Sequence, residues 1–431
     1  MRLALGLLLA LVAVIATLGV GNAADWEIVP SVTARTEFET NLNYTFTHPT
    51  SDYVFSLAPT ATFNYYTDTA QLQGILGLTG WHYLSNGQID HIDQNFQVNG
   101  WYQVTPRWKL GLNTAYINDS SLREELLVSG LVMTRTPRIS ILAGPAVTYA
   151  LTERLAVIAN YNYYQVNYTS PLYPNYNTQQ AGLRLEQLLK NEKTTLIGNF
   201  NASETAYPGQ NSVYKALGFY LGADHKFSPE WEIGLLGGVN LNFLDFPTQV
   251  LNPAQFPFVT SFQQVRVHQT SAEPFINLSV TRSWTNFSMA GGYSRNQSPS
   301  AYGTISDYNQ FFLNLNYNFT DKWSGSLSGF YTLNDQISTR TSYQSSFLTI
   351  NPQLRYNLTE KLTLSPGYSF GQRDEITPHS LTANNQMVWL MLNYTQPSVL
   401  AEARAPTPVG TMPTMPASAR TAPPTPILFG R

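Results

Sequence analysis

The sequence predicts an all-β fold: a transmembrane, antiparallel, up-and-down β-barrel of about 18 strands, with short periplasmic turns and longer outer loops. Three observations carry this. A tight polar turn recurs along the chain, the segments between turns alternate apolar and polar residues, and after residue 23 no apolar stretch approaches the ~20 residues a spanning helix needs.

The turn is seen at Thr105-Pro106-Arg107-Trp108, Thr152-Glu153-Arg154-Leu155, Ser228-Pro229-Glu230-Trp231, Thr320-Asp321-Lys322-Trp323 and Thr359-Glu360-Lys361-Leu362. A hydroxyl that bonds a nearby backbone amide, followed by Pro, Glu or Asp and usually a base, makes a compact reversal. The Trp or Leu that follows re-enters an apolar layer, and Trp and Tyr favour the membrane interface. The spacing of the copies is too irregular for stacked repeats of fixed length.

At the N-terminus, Leu3 to Val20 is an apolar run behind Arg2, and Gly21-Asn22-Ala23 supplies small residues for cleavage. Residues 1–23 are therefore expected to be a signal peptide, 24–396 the barrel and 397–431 a tail, with the bacterial outer membrane as destination. The alternative for the leader is an uncleaved anchor helix. With no cysteine there is no lipobox, disulfide, thiolate metal site or haem attachment, and an electron-conduit cytochrome is excluded. A net charge of −3 with 12% charged residues gives no basic footprint for nucleic acid.

Val32 to Phe46 reads as the first strand, with Val32, Ala34, Thr36, Phe38, Leu42, Tyr44 and Phe46 toward lipid and Arg35, Glu37, Glu39, Asn41 and Asn43 toward the lumen. A short outer link, His48 to Asp52, leads into Tyr53–Tyr66. Strands near 70–84 and 93–104 follow, then Trp108–Asn118. Residues 119–138 do not alternate cleanly; Ser121 to Leu127, with Glu124 three after Ser121, reads as a helical turn with a capping box, either folded into the mouth or on a surface loop. The alternation then resumes: Trp231 to Phe243, Phe311 to Phe319, Trp323 to Leu333 and Leu354 to Leu358 each set apolar residues on one face against Asn, Ser, Gln or Gly on the other.

Eight inner turns, near 67–70, 105–108, 152–155, 190–193, 228–231, 283–286, 320–323 and 359–362, imply 18 strands if both ends are periplasmic. Phe246 to Thr260, with Pro247, Pro253 and Pro257, reads as a long loop that leaves the count open by one hairpin. The last strand, Met387–Thr395, ends in an aromatic pattern suited to the barrel-assembly machinery. Beyond it the Pro-rich tail cannot form a packed core and is expected to hang in the periplasm.

Trp81-His82-Tyr83-Leu84-Ser85 is the stretch nearest to a catalytic motif. A spacing of three turns His82 and Ser85 to opposite strand faces, so without a bulge they cannot pair. The other histidines are scattered, with no metal-ligand spacing, although His91-Ile92-Asp93 has the groups for a surface ion. Neither an enzyme nor a cofactor is expected. The lumen-facing charges Arg35, Glu37, Glu39, Arg184, Glu186 and Arg355 are the candidate pore-lining residues; they either set the field of a pore or form ion pairs that support the wall.

Residues 80–190 resemble the beta-barrel porin 2 family of outer-membrane barrels found with exopolysaccharide and exosortase loci. The resemblance lies in His91 through Thr105-Pro106-Arg107-Trp108, Asn118-Asp119-Ser120-Ser121 to Glu125, Ser129-Gly130, Pro145 to Tyr149, Leu151 to Leu155 and Tyr161 to Tyr168, and continues more loosely to Tyr394. It implies an outer-membrane exit for polysaccharide, working with a separate periplasmic export partner. It supplies no catalytic residues, and the Pro-rich tail departs from the family's pattern. The sequence-based expectation is thus a saccharide channel in contact with outer-membrane lipid and lipopolysaccharide. A generic diffusion porin for small solutes, a lipid-modifying barrel enzyme and a closed surface scaffold are the alternatives.

Overall fold

The computed structural model describes residues 25–120, 135–251, 262–300, 303–336, 344–376 and 380–396. The leader, the capping-box stretch Ser121 to Leu127 and the tail lie outside them. In chain order the first nine strands are β1 (Asp25–Glu39), β2 (Asp52–Tyr66), β3 (Ala70–Tyr83), β4 (His91–Gln103), β5 (Trp108–Asp119), β6 (Arg138–Ala150), β7 (Leu155–Tyr168), β8 (Tyr176–Leu188) and β9 (Thr194–Tyr207). The second nine are β10 (Ser212–Lys226), β11 (Trp231–Leu251), β12 (Phe262–Ser283), β13 (Phe287–Pro299), β14 (Ile305–Asn318), β15 (Trp323–Gln336), β16 (Gln344–Asn357), β17 (Leu362–Glu375) and β18 (Leu381–Thr395).

Each strand pairs antiparallel with its sequence neighbours, and β1 closes on β18 through Ser31–Glu39 against Met387–Thr395. The result is a closed sheet of 18 strands. At ~4.8 Å between strands and a tilt near 40°, its backbone ring is about 35 Å across. An interior that wide is aqueous unless side chains or loops fill it.

All eight inner turns fall where the sequence places them, and the five with the Thr/Ser signature have the expected chemistry. The hydroxyl of Thr105 accepts from the amides of Arg107 and Trp108 (3.3 and 3.1 Å), and that of Thr359 from Lys361 and Leu362 (3.2 and 3.0 Å). Thr152, Ser228 and Thr320 repeat the pattern. Directly behind these turns stands an aromatic belt, with Trp108 against Tyr149 and Trp323 against Tyr356 at ring separations of 4.5 Å each. Above the belt Leu57, Leu76, Leu185, Leu221, Leu235, Leu313 and Leu390 are exposed on the outer face. A closed barrel with such a band is a membrane-spanning one, since closure leaves the sheet no open edge.

Two sequence expectations are corrected. β1 begins at Asp25 and ends at Glu39 rather than running from Val32 to Phe46, and 40–51 is a twelve-residue loop in place of the short His48-to-Asp52 link. Leu42 and Tyr44, expected on the lipid face, are 2% and 4% exposed, and Phe46 packs against the same buried cluster as Tyr44. The reason is local. Tyr44 and His48 have positive φ (49° and 56°), which breaks the extended backbone, and the Asn41 side chain bonds both the amide and the carbonyl of Thr45. The alternation from Leu42 to Phe46 thus belongs to a coiled loop, not a strand.

The second correction is at Phe246. There β11 continues to Leu251, paired only with β12, because β10 has ended at Ser212. Pro247 is tolerated in that strand because its missing N–H faces no neighbour.

Candidate functional site

Lumen-facing residues alternate with the apolar band, and through the middle of the barrel most are neutral. Asn160 and Asn162 on β7, Asn199 and Asn201 on β9, and Asn240 and Asn242 on β11 line one wall; Ser324, Ser326 and Ser328 of β15 line another. Glycines between them leave room for neighbouring side chains to lie flat. A Cβ at Gly182 would meet the Asn160 and Asn201 amide oxygens at 2.5 and 2.6 Å, and one at Gly367 would strike the Trp389 ring.

The six sequence-nominated charges do not converge. Arg35 pairs with Glu37 two residues on (2.5 Å) and stacks over Trp389, 4.7 Å from the ring centroid. Glu39, at the end of β1, accepts a long bond from the Asn385 amide (3.5 Å). Arg184 pairs with Glu186 (2.7 Å) on β8, seven strands away and nearer the short inner turns. Arg355 forms no ion pair among the described residues. The register that sets Gln353 opposite Gly367 puts Arg355 three strands from Arg35, about 14 Å away at ~4.8 Å per strand.

Further charges join Arg35 and Glu37 in the outer half. Arg373 pairs with Glu375 on β17 (2.5 Å), Arg138 of β6 with Asp119 of β5 (2.7 Å), and His91 with Asp93 on β4 (3.4 Å). Asp93 also accepts from the Trp81 indole (2.7 Å), and Arg135 reaches the Tyr83 hydroxyl and the Leu42 carbonyl. This charged arc runs from β17 through the closure to β6. Within it the Nε atoms of Arg35 and Arg135 are buried without a hydrogen bond, groups that a passing polar solute or water can satisfy.

Opposite lies a tyrosine arc. Tyr168, Tyr173, Tyr176, Tyr207 and Tyr214, with Val166 and Leu244, form one buried cluster that also takes in Tyr44, Phe347 and Ala383. It therefore joins β7–β11 to β16, β18 and the 40–51 loop, crossing the barrel toward its outer end. The Tyr207 hydroxyl donates to the Ser300 and Thr304 carbonyls (3.1 and 2.9 Å), and that of Tyr214 to Gly303 (3.1 Å), which ties the β13–β14 link into the partition. The Tyr44 ring stands edge-on to Phe347 at 5.4 Å, and its hydroxyl occupies the space a Cβ at Gly371 would need.

Arg373 and Glu375 were legible as a third Arg-x-Glu pair on one strand face, after Arg35-x-Glu37 and Arg184-x-Glu186. The tyrosine partition had no such signal, since its members are distant in sequence. His82 bonds Asp90 (2.7 Å) and the Ser85 amide bonds Asp52 (3.0 Å), so the stretch nearest to a catalytic motif is held apart by loop contacts.

The class defined by fold and lining is a membrane-spanning 18-stranded antiparallel barrel with a polar interior. No family model and no curated protein matches the chain. Among solved structures it is similar to the outer membrane protein opdK from Pseudomonas aeruginosa, at 10% identity over 86% of this chain and 98% of that one, with a TM-score of 0.42. OccK2 (OpdF) of the same organism shares 11% over 87% and 98% (TM-score 0.44), and Acinetobacter baumannii OccAB3 10% over 86% and 100% (TM-score 0.42). At these scores the likeness adds nothing to what the strand register shows.

Proposed function

We propose that the protein is an outer-membrane channel for small solutes, narrowed toward its outer end by the tyrosine partition and the charged arc beside it. The observation that carries this reading is the buried cluster joining Tyr44 and Phe347 to Tyr207 and Tyr214 across a barrel whose middle is lined mostly by Asn, Ser, Thr and Gly. Neutral donors and acceptors suit hydroxylated or weakly charged solutes, because a wall of fixed unpaired charge would select strongly by sign. The Arg-x-Glu pairs cancel their own charge on one strand. A polysaccharide chain in transit needs a continuous bore of sugar-ring width, so the partition favours the small-solute reading over exopolysaccharide export.

The second reading is a closed surface scaffold, which the same partition favours if it never parts. Swelling of proteoliposomes carrying the full chain separates them. Entry of arabinose and glucose that falls steeply for tri- and tetrasaccharides is the expected result. Equal entry of all sizes would overturn the narrowed channel, and no entry of any sugar would leave the scaffold.

A further inference from the structure

At the opposite end of the lumen, between the periplasmic ends of β6 to β11, lies a cavity of about 300 Å³. It falls within the size range of small-molecule sites. Its wall includes Glu186 of β8, Asp224 of β10 and Glu232 of β11, with Glu153 and Glu192 from the turns beneath. Arg154, Lys193 and Lys226 also line it, and Arg184 stands behind Glu186. Several of these charges are matched. Arg154 pairs with Glu192 (3.1 Å), Arg184 with Glu186 (2.7 Å), and Lys226 lies opposite Glu232 in the ladder. One negative charge remains in excess.

Asp224 stands out by its burial. It is 8% exposed, and its Oδ2 is shielded from solvent with no hydrogen bond or ion pair among the described residues. Gly234, across the ladder, is where the carboxylate rests: a Cβ there would stand 2.6 Å from Asp224 Oδ1. A shielded carboxylate oxygen without a donor is costly unless a cation or donor completes it.

We propose that this cavity binds the guanidinium or ammonium head of a small organic cation, with Asp224 as the carboxylate that receives it and Glu232 and Glu186 flanking. The site lies at the periplasmic mouth, apart from the tyrosine partition, and binding is read without any transport. Two sources carry this chemistry. One is a cation diffusing through the lumen. The other is the chain itself, through Arg404, Arg420 or Arg431 in residues 397–431. A Pro-rich segment spans ~3.1 Å per residue, so Arg420 lies far enough beyond Thr395 to cross a mouth about 35 Å wide.

Calorimetric titration of the full chain in detergent tests this with agmatine as cation and 1,4-butanediol as its neutral counterpart. Agmatine is expected to bind about tenfold tighter or better, and Asp224→Asn to remove about that factor. Lys215→Ala, at the outer rim, leaves the affinity as it was. If replacing Arg404, Arg420 and Arg431 together with Ala tightens agmatine binding, the chain's own segment is the competitor; unchanged binding assigns the site to cations from solution. Equal response to agmatine and butanediol overturns the site in the unaltered protein. So does full affinity in an Asp224→Asn barrel that keeps its heat-modifiable mobility.

Discussion

The two arcs of the outer lumen are built on different principles. Across β17 and β1 the charges are held in pairs two residues apart, so each pair carries its own neutralisation and survives small changes in strand position. Across β7 to β11 the tyrosines instead touch from strand to strand and loop to strand, Tyr168 with Tyr173, Tyr176 with Tyr207 and Tyr207 with Tyr214. Their burial depends on Tyr44 and Phe347 arriving from the far side and on the Ser300-to-Thr304 link folding down to meet them. The Arg-x-Glu pairs are a property of individual strands; the partition is complete only when the whole ring has closed. A channel whose selectivity sits on the first and whose bore is set by the second can change aperture without changing charge.

The largest effect on stability should come from splitting a pair in the charged arc. Glu37→Gln leaves Arg35 without its partner beside Trp389, and breaking a pair this shielded costs about 3 kcal/mol. It should also turn ion selectivity toward anions, read as a shift in reversal potential under a salt gradient. Unaltered selectivity in a folded barrel would remove Arg35 and Glu37 from the ion path.

A smaller effect is expected on the other arc. Tyr207→Phe takes the donor from the Ser300 and Thr304 carbonyls and should lower stability by about 1 to 2 kcal/mol, with reversal potential unchanged. A selectivity change as large as that of Glu37→Gln would erase the distinction between the arcs. At the short inner turns, Thr359→Ala removes a hydroxyl that accepts from two amides and should cost about 1 kcal/mol of stability, read as a lowered unfolding midpoint, with conductance untouched.

The smallest effect is a pH dependence of the outer 84–90 loop. Bonds from the Tyr83 amide and the His82 ring hold the Asp90 carboxyl below its ordinary value of 3.8. A depressed carboxylate stabilises the folded loop above that value and loses the contribution as pH falls below it. The protection factor of the Tyr83 amide, its exchange measured against the intrinsic rate at each pH, should therefore be high near neutrality and fall below the usual carboxylate range. Asp90→Asn should remove that change, while the tyrosine arc, without such a group, keeps its protection.

Much of the architecture was legible in the sequence because strand periodicity and turn chemistry are local. The Thr or Ser hydroxyl of five inner turns announces the reversal within four residues, and with three further polar turns they fix the strand number. The Arg-x-Glu pairs were legible for the same reason, since two residues on one strand share a face. The alternation at Leu42, Tyr44 and Phe46 misled because a periodic run does not say whether its backbone stays extended, and positive φ at Tyr44 bends it inward. The partition was not legible at all: Tyr44, Tyr207 and Phe347 lie far apart in the chain, and only barrel closure brings their rings together.

The central claim is that the tyrosine partition sets the bore, and single-channel conductance of the full chain beside Tyr44→Ala tests it most directly. Removing that ring takes away the contact with Phe347 and frees the space over Gly371. The account predicts a conductance severalfold above that of the unaltered protein, with unchanged ion selectivity and new permeability to trisaccharides. Identical conductance in a Tyr44→Ala barrel that folds normally would contradict it.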